Sequence, residues 1–365
     1  MRVGVLGGGQ LGRMLALEGR PLGLRFRFLE PAVDPAVAEL GEWVRAEYDD
    51  QEALGAFAEG LDVVTYEFEN VPVEAVRALT DRVGVFPPPG ALRVAQDRVH
   101  EKQVFETVGI PTADYAPVSD REDLESAVAR LGFPSVLKTR RLGYDGKGQA
   151  VLRGRDDLED AWQRLGERPL ILERFVDFSR ELSILGVRSR DGLSAFYPLV
   201  ENEHRGGILR VSVAPAPVVS ETLQAKAEAR ARALMDSLDY VGVMALELFQ
   251  HGDELLANEV APRVHNSGHW TLDGAWCSQF ENHLRAVCGL PLGSTAPRGH
   301  SAMVNLIGEV PPRERLLGLD GVRLHLYGKE PRAGRKLGHV NILGSDPAEV
   351  RERVERVEVV VGKGG

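Results

Sequence analysis

From Arg2 to about Arg93, short apolar runs alternate with Gly-punctuated amphipathic stretches: Val3-Gly4-Val5-Leu6, a helix-like segment, then Arg25 to Leu29 and Asp62 to Tyr66. Strands alternating with helical connections predict a parallel α/β unit. Phe86-Pro87-Pro88-Pro89-Gly90 is a stiff breaker, and the helix beyond it, carrying Asp97, Arg98 and Lys102, opens new territory. Pro134 to Leu137, Ala150 to Leu152 and Leu170 to Leu172 read as short strands interleaved with an acidic helix, Asp156 to Leu165, which together predict a small α+β lobe at about 111–176. Ser220 is placed to cap a helix from Glu221 to Leu238, rich in strong helix formers. Further strands are expected at Val241 to Phe249, Glu254 to Val260, Ala302 to Ile307 and Val322 to Tyr327, before an amphipathic tail. The pattern divides the chain at 1–94, 95–293 and 294–365.

A chain of 365 residues is too long for one ordinary core and suits two or three packed units with a cleft between them. Its 43% hydrophobic and 27% charged residues are the proportions of a globular protein. Acidic residues outnumber basic ones by 54 to 44, so the net charge of −10 supplies no global field for nucleic acid or an anionic membrane. Any phosphate site must therefore be local. No run of eighteen apolar residues occurs, and the amino terminus enters a strand without a basic region, which predicts a cytoplasmic protein. Cys277 and Cys288 lie along one helix-like stretch, ~16 Å apart at 1.5 Å per residue, too far for a disulfide. Two free thiols are expected.

Gly7, Gly9 and Gly12 form GxGxxG after a strand, and Glu30 ends the next strand, as in a dinucleotide fingerprint. The physical content is narrower: glycines at a strand-to-helix turn let amide N–H groups face an anion. A nicotinamide cofactor, another phosphate ligand and a plain tight turn all remain open. The segment Gly143-Tyr144-Asp145-Gly146-Lys147-Gly148-Gln149 reads either as a mobile flap whose amides and Lys147 could close over a polyphosphate, with Lys138 reaching the same anion from a strand, or as a hairpin turn with solvated charges. Glu173-Arg174-Phe175-Val176 follows an apolar strand, and Glu181 lies just beyond; an acid and exposed backbone there suit an adenine amino group and ribose hydroxyls.

Glu247 sits in one strand, and Asn258-Glu259 in the next. With Gly252 to Glu254 as a three-residue hairpin loop, Glu247 stands across from Glu259 on one face. Opposed carboxylates repel, and Mg²⁺ taking hard oxygen ligands removes that penalty while bridging to ATP phosphates. The loop Ala261 to Trp270, holding Arg263, His265, Asn266 and Ser267, is dense in donors suited to an anion. Its histidines could also suggest zinc, but no ligand set completes at usual spacing. Lys329, Arg332, Arg335, Lys336 and His339 form a basic cluster, either a local phosphate seat or a solvated face.

GGGQLGRM near the start, GYDGKGQ, LELF with NEVAPRVHNSGHW, and GRKLGH near the end resemble, over nearly the whole chain, the 5-(carboxyamino)imidazole ribonucleotide synthases of the ATP-grasp superfamily. The resemblance implies an α/β and α+β architecture: a Rossmann-like pre-ATP-grasp domain, ATP-grasp lobes and a small C-terminal domain, usually assembled as a homodimer. It implies that ATP, bicarbonate and aminoimidazole ribonucleotide are the ligands. Position by position, Arg98, Lys138, Gly143 to Gln149, Glu173 to Val176, Glu181, His204, Asn258 and Glu259 would contact ATP. Glu247 and Glu259 would hold Mg²⁺. Gln10, Leu11, Glu67, Arg263, His265, Asn266, Ser267, Lys329, Arg335 and Lys336 would receive the ribonucleotide, with Arg263, Lys138 and Glu67 closest to the chemistry. Ala261 stands where many ATP-grasp relatives carry a metal-ligating Asn. Another ATP-grasp ligase, such as a formate-dependent glycinamide ribonucleotide transformylase, is the alternative; a nicotinamide oxidoreductase would leave the flap and acid pair idle.

Overall fold

A computed structural model of the chain describes residues 1–143 and 148–362. The amino-terminal apolar runs become β1 (Arg2–Leu6), β2 (Arg25–Leu29), β3 (Glu42–Val44) and β4 (Val63–Tyr66), a parallel sheet in the order β3-β2-β1-β4. Its central members are apolar on both faces because α1 (Gln10–Gly19), α2 (Gln51–Ala58) and α3 (Val73–Thr80) cover it. The proline run leads into α4 (Pro89–Ala95), and Asp97 caps α5 (Arg98–Thr107) by accepting from the amides of Val99 and His100.

The small lobe holds β5 (Tyr115–Val118), α6 (Arg121–Leu131), β6 (Ser135–Thr139), β7 (Gln149–Leu152), α7 (Asp157–Leu165) and β8 (Leu170–Arg174). Its strands pair antiparallel in the order β5-β8-β6-β7, and the two helices bury their apolar stripes on one face.

The third sheet is the largest. It comprises β9 (Arg180–Arg188), β10 (Ser194–Phe196), β11 (Val200–Arg205), β12 (Ile208–Ala214), β13 (Gly242–His251), β14 (Glu254–Ala261), β15 (His300–Ile307), β16 (Val322–Leu326) and β17 (Lys336–Gly344). The order is β14-β13-β9-β11-β12-β15-β17-β16, with β10 on β9. The carboxy-terminal strands thus continue the edge of the central sheet through the antiparallel β12/β15 pair. Helix α8 (Glu221–Ser237), capped by the Ser220 hydroxyl, packs on β9. A 3₁₀ turn (Asn266–Gly268), α9 (Thr271–Gly274) and α10 (Gln279–Val287) follow β14, and α11 (Arg313–Leu317) and α12 (Pro347–Val361) close the chain. Helix α10 also packs on α1, so the first unit and the central sheet share one apolar core. Cys277 and Cys288 flank α10 as buried free thiols, pushed by burial up to about 12 and 11. Among the described residues no helix is long and apolar enough to cross a membrane.

Candidate active site in the interdomain cleft

The glycine turn after β1 is not open to a ligand phosphate. Gly8 N–H donates to Glu30 Oε2 at 2.7 Å, while Gly9 and Gly12 donate to the two oxygens of Glu67 at 2.5 and 2.8 Å. Glu30 also accepts from Ala32 N–H and the Tyr48 hydroxyl. A Cβ at Gly9 would stand 2.5 Å from Glu67 Oε1, so glycine is required here by the chain's own carboxylate. The dinucleotide reading of the motif fails on these contacts. Glu67, 6% exposed, lines the cleft; burial pushes its carboxyl up, against the pull of the Gly12 and Gly9 amides and Lys329. Gln10 and Leu11, in the first turn of α1, line the same cleft, and Gln10 Oε1 accepts from Lys329 Nζ.

The acid pair is where the pattern placed it, but by a different route. The β13/β14 hairpin turns through Gly252 and Asp253 alone, with His251 opposite Glu254. A loop one residue shorter than expected would set Glu247 against Asn258. A bulge between Glu247 and Leu248 takes up Asn258 as the extra residue and restores Glu247 opposite Glu259. Helix α5 holds that bulge: buried Lys102 donates to the carbonyls of Asn258 at 2.9 Å and Ala257 at 3.3 Å, and Glu101 accepts from Val260 N–H at 2.6 Å. The two acids do not confront each other uncompensated. Glu247 lies 3.1 Å from His265 Nε2, and Glu259 accepts from Arg98 at 2.7 Å. Burial raises the Glu247 carboxyl, but His265, His204 and Arg263 outweigh it and hold the group below the ordinary carboxylate range.

Two carboxylates on neighbouring strands, with a buried Asn258 Oδ1 that has no partner among the described residues, are hard oxygen donors that fit Mg²⁺. Among the described residues no three or more His, Cys, Asp or Glu side chains are grouped so that they could hold a metal ion.

Several residues expected to meet ATP lie off the described lining of the cleft. Lys138 on β6 donates to Glu173 on β8 at 2.8 Å, with buried Lys102 at 3.9 Å. Burial raises the Glu173 carboxyl, and Lys138, Lys102 and Arg98 bring it down to about 2. The folded value lies below the ordinary 4.5, so this pairing contributes stability fully present above about pH 4.5 and lost as pH falls towards 2. Urea-unfolding free energies measured across that interval should fall less steeply in Glu173→Gln than in the parent; equal slopes would remove Glu173 from the acid response.

Arg174 pairs with Asp114 at 3.2 Å, Phe175 is exposed, and Glu181 on β9 stands 2.6 Å from His204 Nδ1 on β11. Gly143 and His204 line the cleft; Gly148, at φ +74°, precedes β7, whose first residue is Gln149; Val176 follows Phe175 in the connection to β9. Tyr144, Asp145, Gly146 and Lys147 lie outside the described residues.

On the far wall the loop after β14 carries Arg263, whose Nε donates to Glu69 and whose Nη1 donates to the Val264 carbonyl at 3.0 Å. Asn266 and Asn305 exchange amide hydrogen bonds. Ser267 departs from expectation: it is fully buried and off the lining, accepting from Ser183 at 2.8 Å and bonding His265 Nδ1 at 2.9 Å, so it orients His265. His339 also leaves the basic cluster. It is buried on β17, bonded to the Tyr327 hydroxyl and stacked on His325 at 4.6 Å, and burial holds it neutral. Lys329, Arg332, Arg335 and Lys336 do line the cleft. The cavity measures about 690 Å³ and joins these four to Arg98, Glu247 and Glu259.

Glu69, Glu101 and Arg140 also line it and were not anticipated. Glu69 had a legible signal, the alternation Glu67-Phe68-Glu69 after β4; Glu101 and Arg140 look in sequence like ordinary surface charges.

The first 96 residues match the ribonucleotide synthetase preATP-grasp domain, 103–280 the ATP-grasp domain, and 301–353 the phosphoribosylaminoimidazole carboxylase C-terminal domain. The N5-carboxyaminoimidazole ribonucleotide synthase of Pseudomonas aeruginosa is 54% identical over 361 residues, covering 99% of each chain. Among solved structures, N5-carboxyaminoimidazole ribonucleotide synthetase from Thermus thermophilus superposes with a TM-score of 0.95 at 58% identity, over 99% of this chain and 98% of that one. N5-carboxyaminoimidazole synthase from Aspergillus clavatus, in complex with ADP and 5-aminoimidazole ribonucleotide, superposes at 0.92 with 32% identity, over 99% and 98%.

Proposed function

Because this chain belongs to the N5-carboxyaminoimidazole ribonucleotide synthase family of ATP-grasp ligases, we propose that its cleft joins ATP on the acid-hairpin side to the ribonucleotide on the basic side. The enzyme carries out the ATP-dependent carboxylation of 5-aminoimidazole ribonucleotide to N5-carboxyaminoimidazole ribonucleotide in purine biosynthesis. The observation that carries the site assignment is Arg263: it leaves the strand bearing Glu259, pairs with Glu69 of the first unit, and shares one cavity with Glu247, Glu259, Lys329, Arg335 and Lys336.

We take bicarbonate as the carboxyl source. Its oxygen attacks the γ-phosphorus of ATP, ADP leaves, and carboxyphosphate results; the exocyclic amine of the ribonucleotide then attacks the carboxyl carbon, or the carbon dioxide it releases, and phosphate departs. Lys138 and the segment Gly143 to Gln149 neutralise charge as it develops on the phosphates, while Arg98, Glu173 to Val176, Glu181, His204 and Asn258 seat the nucleotide. Arg263 holds the anionic intermediate, and Glu67, fixed by two amides, faces the ribonucleotide with Gln10, Leu11, His265 and Asn266. Mg²⁺ held by Glu247 and Glu259 would supply further charge neutralisation on the phosphates. Water exclusion and positioning are the remaining contribution of the protein. A cytoplasmic homodimer, dividing at 1–94, 95–293 and 294–365, completes the reading.

An ADP-release assay tests it. Release should require bicarbonate and rise when aminoimidazole ribonucleotide is added; release that follows formate instead would favour the transformylase chemistry. The basic wall adds a second expectation. Lys329→Ala and Arg335→Ala each remove a charge-assisted contact of ~1.5–3 kcal/mol, so the apparent KM for the ribonucleotide should rise about tenfold or more. The KM for ATP should stay within about twofold. Equal effects on both substrates would contradict the seat.

A further inference from the structure

The reaction above leaves one histidine of the cleft unused. His269 is buried, lines the cavity with Asn266, Tyr327 and Lys336, and packs against Phe280 and His339 at ring-centroid distances of 5.6 and 4.8 Å. Its protonation state is legible from a neighbour. Gln279, fully buried at the start of α10, is clamped by the backbone of His265: His265 N–H donates to Gln279 Oε1 at 2.9 Å, and His265 C=O accepts from Gln279 Nε2 at 2.6 Å. A backbone N–H cannot accept and a carbonyl cannot donate, so these two bonds permit only one orientation of the amide. The second amide hydrogen is left for His269 Nδ1, at 3.3 Å. Nδ1 must therefore accept, and the proton of the neutral ring sits on Nε2. Burial, reinforced by His265, Lys336, His325 and Arg263, keeps the ring neutral.

From this geometry we infer that His269 is a neutral hydrogen-bond donor on the ribonucleotide side of the cleft, held in one tautomer by Gln279, and that its Nε2–H engages an acceptor oxygen of the aminoribonucleotide. The inference rests on the assignment of that wall to the ribonucleotide. The nucleotide-side groups Arg98 and Glu259 pair with each other, whereas the groups sharing the wall with His269 are Asn266, Tyr327 and Lys336. A fixed N–H donor suits an oxygen, and the substrate's ribose and phosphate carry them. Gln279 acts through His269 and is a positioning residue.

Two substitutions separate a donor from a packing role. His269→Phe keeps a ring against Phe280 and His339 but deletes the N–H; His269→Gln loses the ring but puts an amide N–H at about the reach of Nε2. The Phe variant should raise the KM for the ribonucleotide about tenfold, equivalent to ~1.4 kcal/mol, leaving that for ATP within about twofold. The Gln variant should recover most of the loss. The opposite ranking, Phe near the parent and Gln impaired, would overturn the donor role. Nitrogen-15 NMR of the histidine-labelled parent reads the tautomer without any activity: His269 should carry its proton on Nε2, and that resonance should move when the ribonucleotide is added. A proton on Nδ1 overturns the inference. Binding of the ribonucleotide with an unmoved His269 resonance sinks the contact alone, whereas failure of the parent to bind the ribonucleotide sinks the assignment of the wall.

Discussion

Arg263→Met should lower kcat by two to three orders of magnitude and also destabilise the protein, and a second substitution separates the two effects. Arg263 donates to Glu69 across the boundary between the first unit and the ATP-grasp lobes, with 15% and 27% of the side chains exposed. Burial raises the Glu69 carboxyl, and the guanidinium more than reverses this, bringing it down to about 2. Removing the arginine strands a buried charge, a loss of ~3–5 kcal/mol for fully buried pairs and less here because Glu69 is partly exposed. Adding Glu69→Gln deletes that stranded charge, so the double variant should regain most of the melting temperature. It should not regain turnover. A donor aimed at developing negative charge is worth ~3–4 kcal/mol in the transition state, and glutamine at 69 supplies no replacement. If turnover per folded molecule returned together with the melting temperature, Arg263 would be a strut between units and the anionic intermediate would need another holder.

Residues whose partners lie close along the chain were legible in the sequence, and those whose partners are remote were not. The β1, β2 and β4 runs, the Ser220 cap and the helix it starts follow from local pattern alone. The glycine turn misleads because the groups filling its amides, Glu30 and Glu67, arrive from 22 and 58 residues away. Only the folded sheet brings them under α1. Strand β11 is not legible in the sequence because Glu201, Glu203 and Arg205 alternate along it without an apolar run. His339 shows the converse: a histidine near Lys336 reads as a surface cation, yet β17 is buried without a break from Leu337 to Ile342, and His325, its partner on β16, stacks on it. The acid pair is instructive in another way. The expected partners met, although the loop that was meant to align them is a residue shorter, because Lys102 and Glu101 from α5 hold the compensating bulge. A hairpin's register can thus be set by a helix packed on its edge strand as well as by its turn.

That arrangement changes what the acid pair should do when one member is neutralised. Were Glu247 and Glu259 simply repelling each other, Glu259→Gln would stabilise the metal-free protein. Each instead has a hydrogen-bonding partner, and the partners differ in kind: Arg98 is a fixed guanidinium cation, whereas His265 is an imidazole. Glu259→Gln should therefore lower the metal-free melting temperature by leaving Arg98 unpaired in a largely buried place. Glu247→Gln should lower it less, because the glutamine carbonyl still faces His265 Nε2 and no fixed cation is left behind. Both substitutions should remove the Mg²⁺-dependent rise in melting temperature measured with ATP present, since a ligand that binds only the folded state stabilises it by mass action and neither site would retain two carboxylates. Both should also cut Mg²⁺-dependent ADP release by at least about a hundredfold. Melting curves with and without Mg²⁺, set beside ADP release per folded molecule, decide the matter. A Glu259→Gln protein that melts lower yet turns over normally would mean that Glu259 is only the counter-charge of Arg98, and that the metal takes its ligands elsewhere in the cleft.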